Sequence, residues 1–515
     1  MVAKCYSGAV VGVDALPVEI EVNASLGASS FAIVGLPDAS IREAKDRVST
    51  AIKNSAFKKA REYAVTVNLA PADVRKEGPI YDLAIAVCLL KGMGRIENQH
   101  LDDYAIIGEL SLSGEVRRVR GVLPIVMEMK RLGKRAALVP AENADEASIV
   151  DGIDAVPVRN LREAVQYLNG EIEITSRHTD LAALVRLDDG CGDDFADVKG
   201  QTLVKRAIEV AVAGGHNILM IGSPGSGKTM LARRVPSILP PMSAEEALEV
   251  SRIYSVAGQA KGGGMFVTAR PFRAPHHTVS SIGLLGGGTH PMPGEVSLAH
   301  RGVLFLDEFA EFPRSALEVM RQPLEDGHVA VSRAAAACDY PSRFMLVAAM
   351  NPCPCGYYND TTRECRCTQS QILKYQRRIS GPMLDRIDIQ VEVNAVPVND
   401  LDRLDGGEPS REIRRRVTAA RALQAERYRG MPGISTNAEA KSRDLGDICR
   451  LTAEARGKVR EVIERLSLSA RAHDRILRVA RTVADLDGRA DVGEMDIYEA
   501  AGYRRLDKSG DSFWA

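Results

Sequence analysis

Aromatic side chains are scarce in this chain, at 5% of 515 residues with a single Trp. That scarcity argues against a surface built to stack unpaired bases on aromatic rings. No apolar run reaches the length needed to cross a bilayer. The start, Met1-Val2-Ala3-Lys4-Cys5-Tyr6, leads into alternating strand-like residues and not into a signal peptide. Neither sign of charge dominates: 67 Lys and Arg against 68 Asp and Glu leave a net charge of −1. No global field therefore attracts nucleic acid, and any basic binding surface must be local. These absences lead us to expect a cytoplasmic protein with no membrane partner, whose nine cysteines stay reduced. The rest of the composition, 45% hydrophobic and 26% charged, is that of a soluble protein of about three domains.

The strongest signal present is Gly222-Ser223-Pro224-Gly225-Ser226-Gly227-Lys228-Thr229. It follows an apolar run, Ile218 to Ile221, and precedes Leu231, Ala232 and Val235, which fit the inward face of a helix. Strand, G-x-x-x-x-G-K-T and helix together make a P-loop. Its backbone N–H groups point at phosphate oxygens. Lys228 would supply charge to the β- and γ-phosphates of ATP, and Thr229 a hydroxyl to Mg²⁺. A ligand-free glycine-rich turn is the plain alternative. Downstream, Val303 to Leu306 reads as a buried strand ending in Asp307-Glu308. Open α/β sheets bind ligands at such strand ends. Asp307 is expected in the Mg²⁺ shell, with Glu308 polarising the attacking water. A third strand, Phe344 to Met350, ends in Asn351, in reach of the γ-phosphate or that water.

Residues 1–170 read as an α+β domain: Val18–Val22 and Tyr63–Leu69 alternate like strands, and Ile41, Ala44, Val48, Ala51 and Ile52 trace one helix face. The stretch 171–193 is short of apolar residues and reads as a linker. The nucleotide core spans 194–393, a second polar break 394–410, and a helical region 411–515. Four cysteines, Cys353, Cys355, Cys365 and Cys367, form two C-x-C pairs just beyond Asn351. Four soft thiolates suit tetrahedral Zn²⁺ and leave no open position for catalysis. Four unligated thiols or a redox pair are the alternatives.

Two insertions could meet DNA. The first, 258–300, carries Arg270, Arg273, His276 and His277; the histidines have no evident partner cluster and are expected to pack or hydrogen-bond. The second, from Glu325 through Arg333 to Arg343, has the alternation of a β-hairpin. Arg333 and Arg343 could touch phosphates without reading sequence. Solvated loops are the alternative for both. For the arginine-rich helix from Arg411 through Arg429, a solvated face is the default.

With these motifs laid out, the chain resembles the AAA+ ATPases, in the branch with magnesium-chelatase ATPase subunits. Phe195-Ala196-Asp197-Val198-Lys199-Gly200-Gln201 looks like that class's adenine-side entry segment. Gly381-Pro382-Met383-Leu384-Asp385-Arg386-Ile387-Asp388 resembles the segment with its arginine finger, which falls on Arg386. Ser469-Ala470-Arg471, continuing to Arg481, resembles the lid helix with the second sensor; Arg471 is the best match, with Arg475 and Arg478 close competitors. Arg273-Ala274-Pro275-His276-His277-Thr278, Gly302 to Phe309 and Asn351-Pro352-Cys353-Pro354-Cys355-Gly356 make the whole most similar to the bacterial ComM/YifB family of magnesium-chelatase-like competence proteins. The amino-terminal region resembles the proteolytic domain of Lon-type proteases through Lys76-Glu77-Gly78-Pro79 and Gly108 to Val116. Ile80 stands at the serine position and Met129 at the lysine position, with Lys130 one residue off. The expectation is that fold without the protease.

The resemblance implies a homo-oligomeric ring, expected to be hexameric, with ATP between subunits and Arg386 reaching a neighbour's γ-phosphate. A salt bridge to Asp385 or Asp388 is the alternative for Arg386. The leading expectation is an ATP-driven helicase or branch-migration motor on single-stranded or branched DNA, acting in natural transformation. A chelatase motor subunit for metal insertion, a protease and an ATP-gated scaffold are its rivals.

Overall fold

Strand-like alternation near the start of the chain becomes a mixed sheet. In the computed structural model, which describes all residues except 1, 29, 58–62, 188–191, 260–265, 289–290, 333–336, 361–362, 396–405, 467–468 and 505–515, β1 (Val2–Val11) and β2 (Asp14–Leu26) form an antiparallel hairpin. They join β3 (Ser30–Val34), β4 (Tyr63–Ala70), β5 (Tyr104–Ile106), β6 (Ala136–Pro140) and β7 (Asp154–Val158) in a seven-stranded sheet of order β3-β4-β2-β1-β5-β6-β7. Helix α1 (Ala39–Asn54) starts where the Asp38 carboxylate accepts the Ile41 N–H at 2.8 Å. It buries Ile41, Ala44, Val48, Ala51 and Ile52, the face its spacing predicts. Helix α2 (Asp82–Gly92) is apolar over most of its circumference because it lies between the sheet and α1. Helix α3 (Val122–Arg131) packs on β1 and β2.

The segment read as a linker is partly folded. The Arg177 N–H donates to the Ala155 carbonyl at 2.9 Å. Helix α4 (Leu181–Leu187) buries Leu181 and Val185 in the amino-terminal core.

The second sheet has five parallel strands: β8 (Ile218–Ile221), β9 (Phe272–Arg273), β10 (Val303–Leu306), β13 (Met345–Met350) and β14 (Ile389–Glu392), in the order β9-β10-β13-β8-β14. Between β10 and β13 the expected hairpin is present as β11 (His328–Ser332) and β12 (Ala337–Pro341). Every residue of β8, β10 and β13 is buried, because helices cover both faces of a parallel sheet. Helix α5 (Thr202–Gly214) leads into β8, and α6 (Lys228–Ile238) follows it.

Helices α8 (Ser410–Arg427), α9 (Ala453–Leu466), α10 (Ala470–Leu486) and α11 (Glu494–Gly502) form the carboxy-terminal region. Helix α8 is the solvated basic face its composition suggests only in part: Arg411 and Arg415, and Arg429 just beyond its end, are exposed, while others turn inward. Arg416 pairs with Glu209 at 2.5 Å, and Arg421 donates to the Val212 carbonyl at 2.8 Å. Arg427 donates to Asp485 at 2.5 Å. These arginines seal α8 onto the nucleotide core and onto α10.

Helix α7 (Ala244–Ala257) joins the two sheets. Ala247 and Val250 enter the amino-terminal core, and the Gly121 N–H donates to the Ser255 carbonyl at 3.1 Å. Its opposite side holds the nucleotide core: Glu249 accepts from Arg301 at 3.0 Å, and Tyr254 donates to the Leu298 carbonyl at 3.0 Å. Val13, at the β1–β2 turn, shares a core with Val329, Val331, Cys338 and Tyr340 of the hairpin.

Gly302 marks how closely the second sheet is assembled. A Cβ there would lie 2.0 Å from the Pro271 carbonyl oxygen, at the start of the β9–β10 pairing. Gly302→Ala is therefore expected to destabilise the nucleotide core by about 1–3 kcal/mol. A lowered thermal midpoint checks this; an unchanged midpoint contradicts it.

Candidate nucleotide and metal sites

The parallel register sets the nucleotide site. Ile221 lies beside Met350, so the chain leaves β8 and β13 at the same level, and the Gly222 N–H donates to the Met350 carbonyl at 3.2 Å. Gly222 has no room for a side chain: a Cβ would meet the Val393 carbonyl oxygen at 2.2 Å. The loop of Ser223, Pro224, Gly225, Ser226 and Gly227 closes onto α6 with Gly227 at φ 96°, a conformation glycine adopts without strain. Lys228 Nζ donates to the carbonyls of Gly222 at 2.7 Å and Ser223 at 2.9 Å, and to Asn351 Oδ1 at 3.3 Å. Burial pushes this ammonium down to about 8, partly offset by the Asp307 carboxylate.

Thr229 Oγ1 donates to Asp307 Oδ2 at 2.7 Å. Those two oxygens would both serve one hard cation such as Mg²⁺. Glu308 has φ 51°, unusual for a residue with a side chain and a conformation that concentrates at functional sites. Its Oε2 lies 2.8 Å from His277 Nδ1. Sequence reasoning left His277 to packing or general hydrogen bonding, whereas here its partner is the carboxylate expected to activate water. The Arg-Ala-Pro-His-His-Thr segment was the available signal. His276 instead bonds Thr278 at 2.9 Å.

Arg386 lies at the opposite, amino-terminal end of the strands of the same sheet. Its carbonyl accepts from Asn217 Nδ2 at 2.8 Å, and Asn217 immediately precedes β8. A four-residue strand separates that level from the P-loop by roughly 13 Å. The expected alternatives for Arg386 were Asp385 and Asp388, but its carboxylate partner is Glu325; it also donates to the Pro382 carbonyl at 2.6 Å. Arg471 approaches Asp385 at 3.6 Å, and Arg475 approaches Asp388 at 3.5 Å. With Arg478 they line a cavity of about 800 Å³. The Nε atoms of Arg386 and Arg478 are buried there with no acceptor among the described residues. The finger segment and the lid arginines thus share one site, away from their own P-loop.

The four cysteines converge as expected, their sulfurs all within 4.8 Å of one another. Cys353 Sγ lies 3.4 Å from Cys355 and 3.7 Å from Cys365, and Cys355 lies 3.6 Å from Cys365. Tetrahedral Zn–S bonds of about 2.3 Å would set sulfurs about 3.8 Å apart, so the set fits zinc with small adjustment. Burial pushes the Cys365 thiol up to about 12. Cys355 is held down to about 6: burial opposes the shift, and backbone N–H groups of Tyr357 and Arg366 outweigh it.

The expected DNA contacts fare differently. Arg333 lies outside the described residues. Arg270 donates to the Pro240 carbonyl at 2.6 Å, the Arg301 carbonyl at 2.7 Å and Glu246 at 2.8 Å. Arg273 makes a two-pronged pair with Glu295, both bonds 2.7 Å. Arg343 reaches the Gly433 carbonyl at 3.2 Å and lies 3.7 Å from Glu439. All three guanidinium groups are engaged within the fold of the single chain. Among the described residues, no helix is long and apolar enough to cross a membrane.

Sheet order, P-loop and carboxylate-ended strand together define a P-loop nucleotide-binding class. Family models agree: residues 194–401 match "Magnesium chelatase, subunit ChlI", 20–143 match "Subunit ChlI of Mg-chelatase", and 407–504 match its C-terminal model. The chain is 41% identical over 507 residues to Competence protein ComM of Haemophilus influenzae, covering 98% of this chain and 97% of that protein. It is 40% identical over 504 residues to the uncharacterised protein YifB of Escherichia coli, again 98% and 97%. DNA repair protein RadA of Aquifex aeolicus matches 108 residues at 35% identity, 21% of this chain and 23% of that one. The chain belongs to the ComM/YifB family of magnesium-chelatase-like AAA+ proteins.

The depressed Lys228 ammonium makes nucleotide binding pH-dependent. Phosphate favours the charged lysine, so above pH 8 binding requires a proton that the free protein has lost. Affinity for Mg·ATP should fall as pH rises from 8 to 9.5, by at most about tenfold per unit, and show no pH dependence from Lys228 titration well below 8. Calorimetric titration across that range checks it; undiminished affinity at pH 9.5 contradicts it.

Proposed function

We propose that this protein is an ATP-hydrolysing, ring-forming motor that acts on DNA, its ATP site completed by a neighbouring subunit. The observation that carries this reading is the separation of Lys228, Asp307, Glu308 and Asn351, at the carboxyl ends of the strands, from Arg386, Arg471, Arg475 and Arg478, at the amino ends of the same sheet. Arginines that stabilise phosphoryl transfer must touch the phosphates. These cannot reach the P-loop of their own chain, and a second copy, placed head to tail, brings the two ends together. Within such a ring, taken as hexameric, Glu308 activates water, Asn351 holds it or the γ-phosphate, and Arg386 and Arg471 act across the interface. Mg²⁺ and ATP are the ligands that Thr229, Asp307 and the P-loop suit.

DNA as substrate is supported by the full-length likeness to a competence protein; we take its action to be that of a helicase or branch-migration factor on single-stranded or branched DNA. The family models' chelatase names favour a second reading, a motor subunit for metal insertion. We read the amino-terminal domain as Lon-protease-like without the protease. Ile80 and Met129 are buried at the serine and lysine positions, and Lys130 is exposed. The four thiols we read as a structural zinc site.

Glu308→Gln and Arg386→Ala should each bind ATP but lose turnover by at least about a hundredfold, in line with removing a base or a transition-state cation. Mixed together they should regain part of the activity, since some interfaces then hold both wild-type groups. No recovery in confirmed mixed assemblies contradicts a shared site. The substrate is tested by ATP turnover with single-stranded, duplex and branched DNA. Stimulation supports the DNA motor, and its absence with all three favours the chelatase reading.

A further inference from the structure

The four-thiol loop and the P-loop are packed against each other, and we propose that the loop braces the P-loop, so that metal occupancy of Cys353, Cys355, Cys365 and Cys367 sets affinity for nucleotide. This rests on reading the thiols as a zinc site. Two connections join the sites. One runs along the chain: Asn351, whose Oδ1 accepts from Lys228 Nζ at 3.3 Å, is separated from Cys353 by Pro352 alone. The Pro352 carbonyl accepts from Nε2 of buried Gln376 at 3.2 Å, which pins the segment from behind. The other is a contact through space. Gly356, next to Cys355, has φ 87°, and its Cα faces Pro224 of the P-loop. A Cβ there would lie 2.6 Å from Pro224 Cδ and 2.7 Å from Cγ. Pro224 follows Ser223, whose carbonyl holds the Lys228 ammonium.

The loop has little else to hold it. Among its described residues, none from Cys353 to Cys367 is in a helix or strand, and only Cys353 and Gly356 are buried. Closing such a loop requires a cross-link, and a metal bound by all four thiols supplies one. Without it the loop opens, Gly356 leaves Pro224, and Asn351 loses its fixed place beside Lys228. The phosphate-binding N–H groups remain but are no longer held in position, so affinity falls without vanishing.

Three measurements on the full chain test this. Metal analysis gives zinc per chain. Binding of a fluorescent ATP analogue with Mg²⁺ is measured before metal removal, after removal under reducing conditions, and after Zn²⁺ is returned. Gly356→Ala, which keeps all four thiols, is measured for both zinc and nucleotide. The expected results are one zinc per chain, at least tenfold weaker binding after removal with recovery on return, and at least tenfold weaker binding in Gly356→Ala at full zinc occupancy. Affinity within twofold of the loaded protein after removal, with an unchanged circular dichroism spectrum, overturns the brace. If the purified protein holds no metal and Co²⁺ gives no thiolate charge-transfer band, the zinc reading fails. Gly356→Ala then still decides the packing argument: undiminished affinity in that variant overturns it.

Discussion

Burying the Lys228 ammonium against the Gly222 and Ser223 carbonyls is the constraint on which the nucleotide site depends. A charge removed from water needs close oxygen partners or it is expelled. Those carbonyls converge only if the chain turns immediately after β8. The turn is possible only because Gly222 has no side chain to meet the Val393 carbonyl. β14 must therefore lie beside β8, and β13 on its other side brings Asn351 to the same ammonium. The order of the sheet and the position of one lysine are the same fact seen at two scales. A phosphate bound at this loop would offset the remaining desolvation by giving the ammonium an anionic partner.

The same sheet explains why Arg386 and the P-loop of one chain lie apart. Its strands are parallel, so everything at their carboxyl ends handles nucleotide and everything at their amino ends faces away. Arg386 precedes β14 and is held at the far end of the strands by geometry that no side-chain rotation changes. In the single chain its charge is matched by Glu325, whose side chain is 59% exposed. A pair with one partner in solvent is weak, so exchanging that carboxylate for a neighbour's phosphate requires little reorganisation. The tighter pairs around it behave differently. Asp388 accepts from His216 at 2.9 Å, and His216 reaches Thr482 of α10 at 2.8 Å, all within the buried junction of core and lid. That network fixes α10, and with it Arg475, relative to the finger segment.

The nucleotide side of this site was legible in the sequence because its chemistry is local: a P-loop, a carboxylate-ended strand and a C-x-C pair each lie within a few residues. The α1 face was legible for the same reason, its period being 3.6. What the sequence did not reveal depends on distance along the chain. His277 meets Glu308 across 31 positions, and Arg386 meets Glu325 across 61. Arg270, Arg273 and Arg343 look free in a sequence because arginine is common on surfaces, yet each is held by oxygens from other elements. The basic run in α8 misled in part, for a related reason. Composition reports how many charges a helix carries, not which of them turn inward to cap the carbonyls of α5. The segment 171–193 is polar enough to read as a tether, but two apolar side chains, Leu181 and Val185, suffice to fold part of it onto the first domain.

Helix α7 extends this reasoning to the whole molecule. One side of it completes the amino-terminal core with Ala247 and Val250; the other presents Glu246 and Glu249 to Arg270 and Arg301 beside β10. At the β1–β2 turn, Val13 is packed among hairpin side chains, and Arg252 of α7 donates to the Val13 carbonyl at 3.1 Å. The amino-terminal domain therefore grips the nucleotide core at two places, and one of them is the hairpin between the Asp307 strand and the Asn351 strand. A change at the γ-phosphate that shifts those strands cannot move the hairpin alone. It must carry the β1–β2 turn with it or separate Val13 from Val329, Val331 and Tyr340, exposing apolar surface to water. Burial makes the first course the cheaper one, so the domain read as a degenerate protease is mechanically coupled to the nucleotide core, whatever surface it offers to a partner.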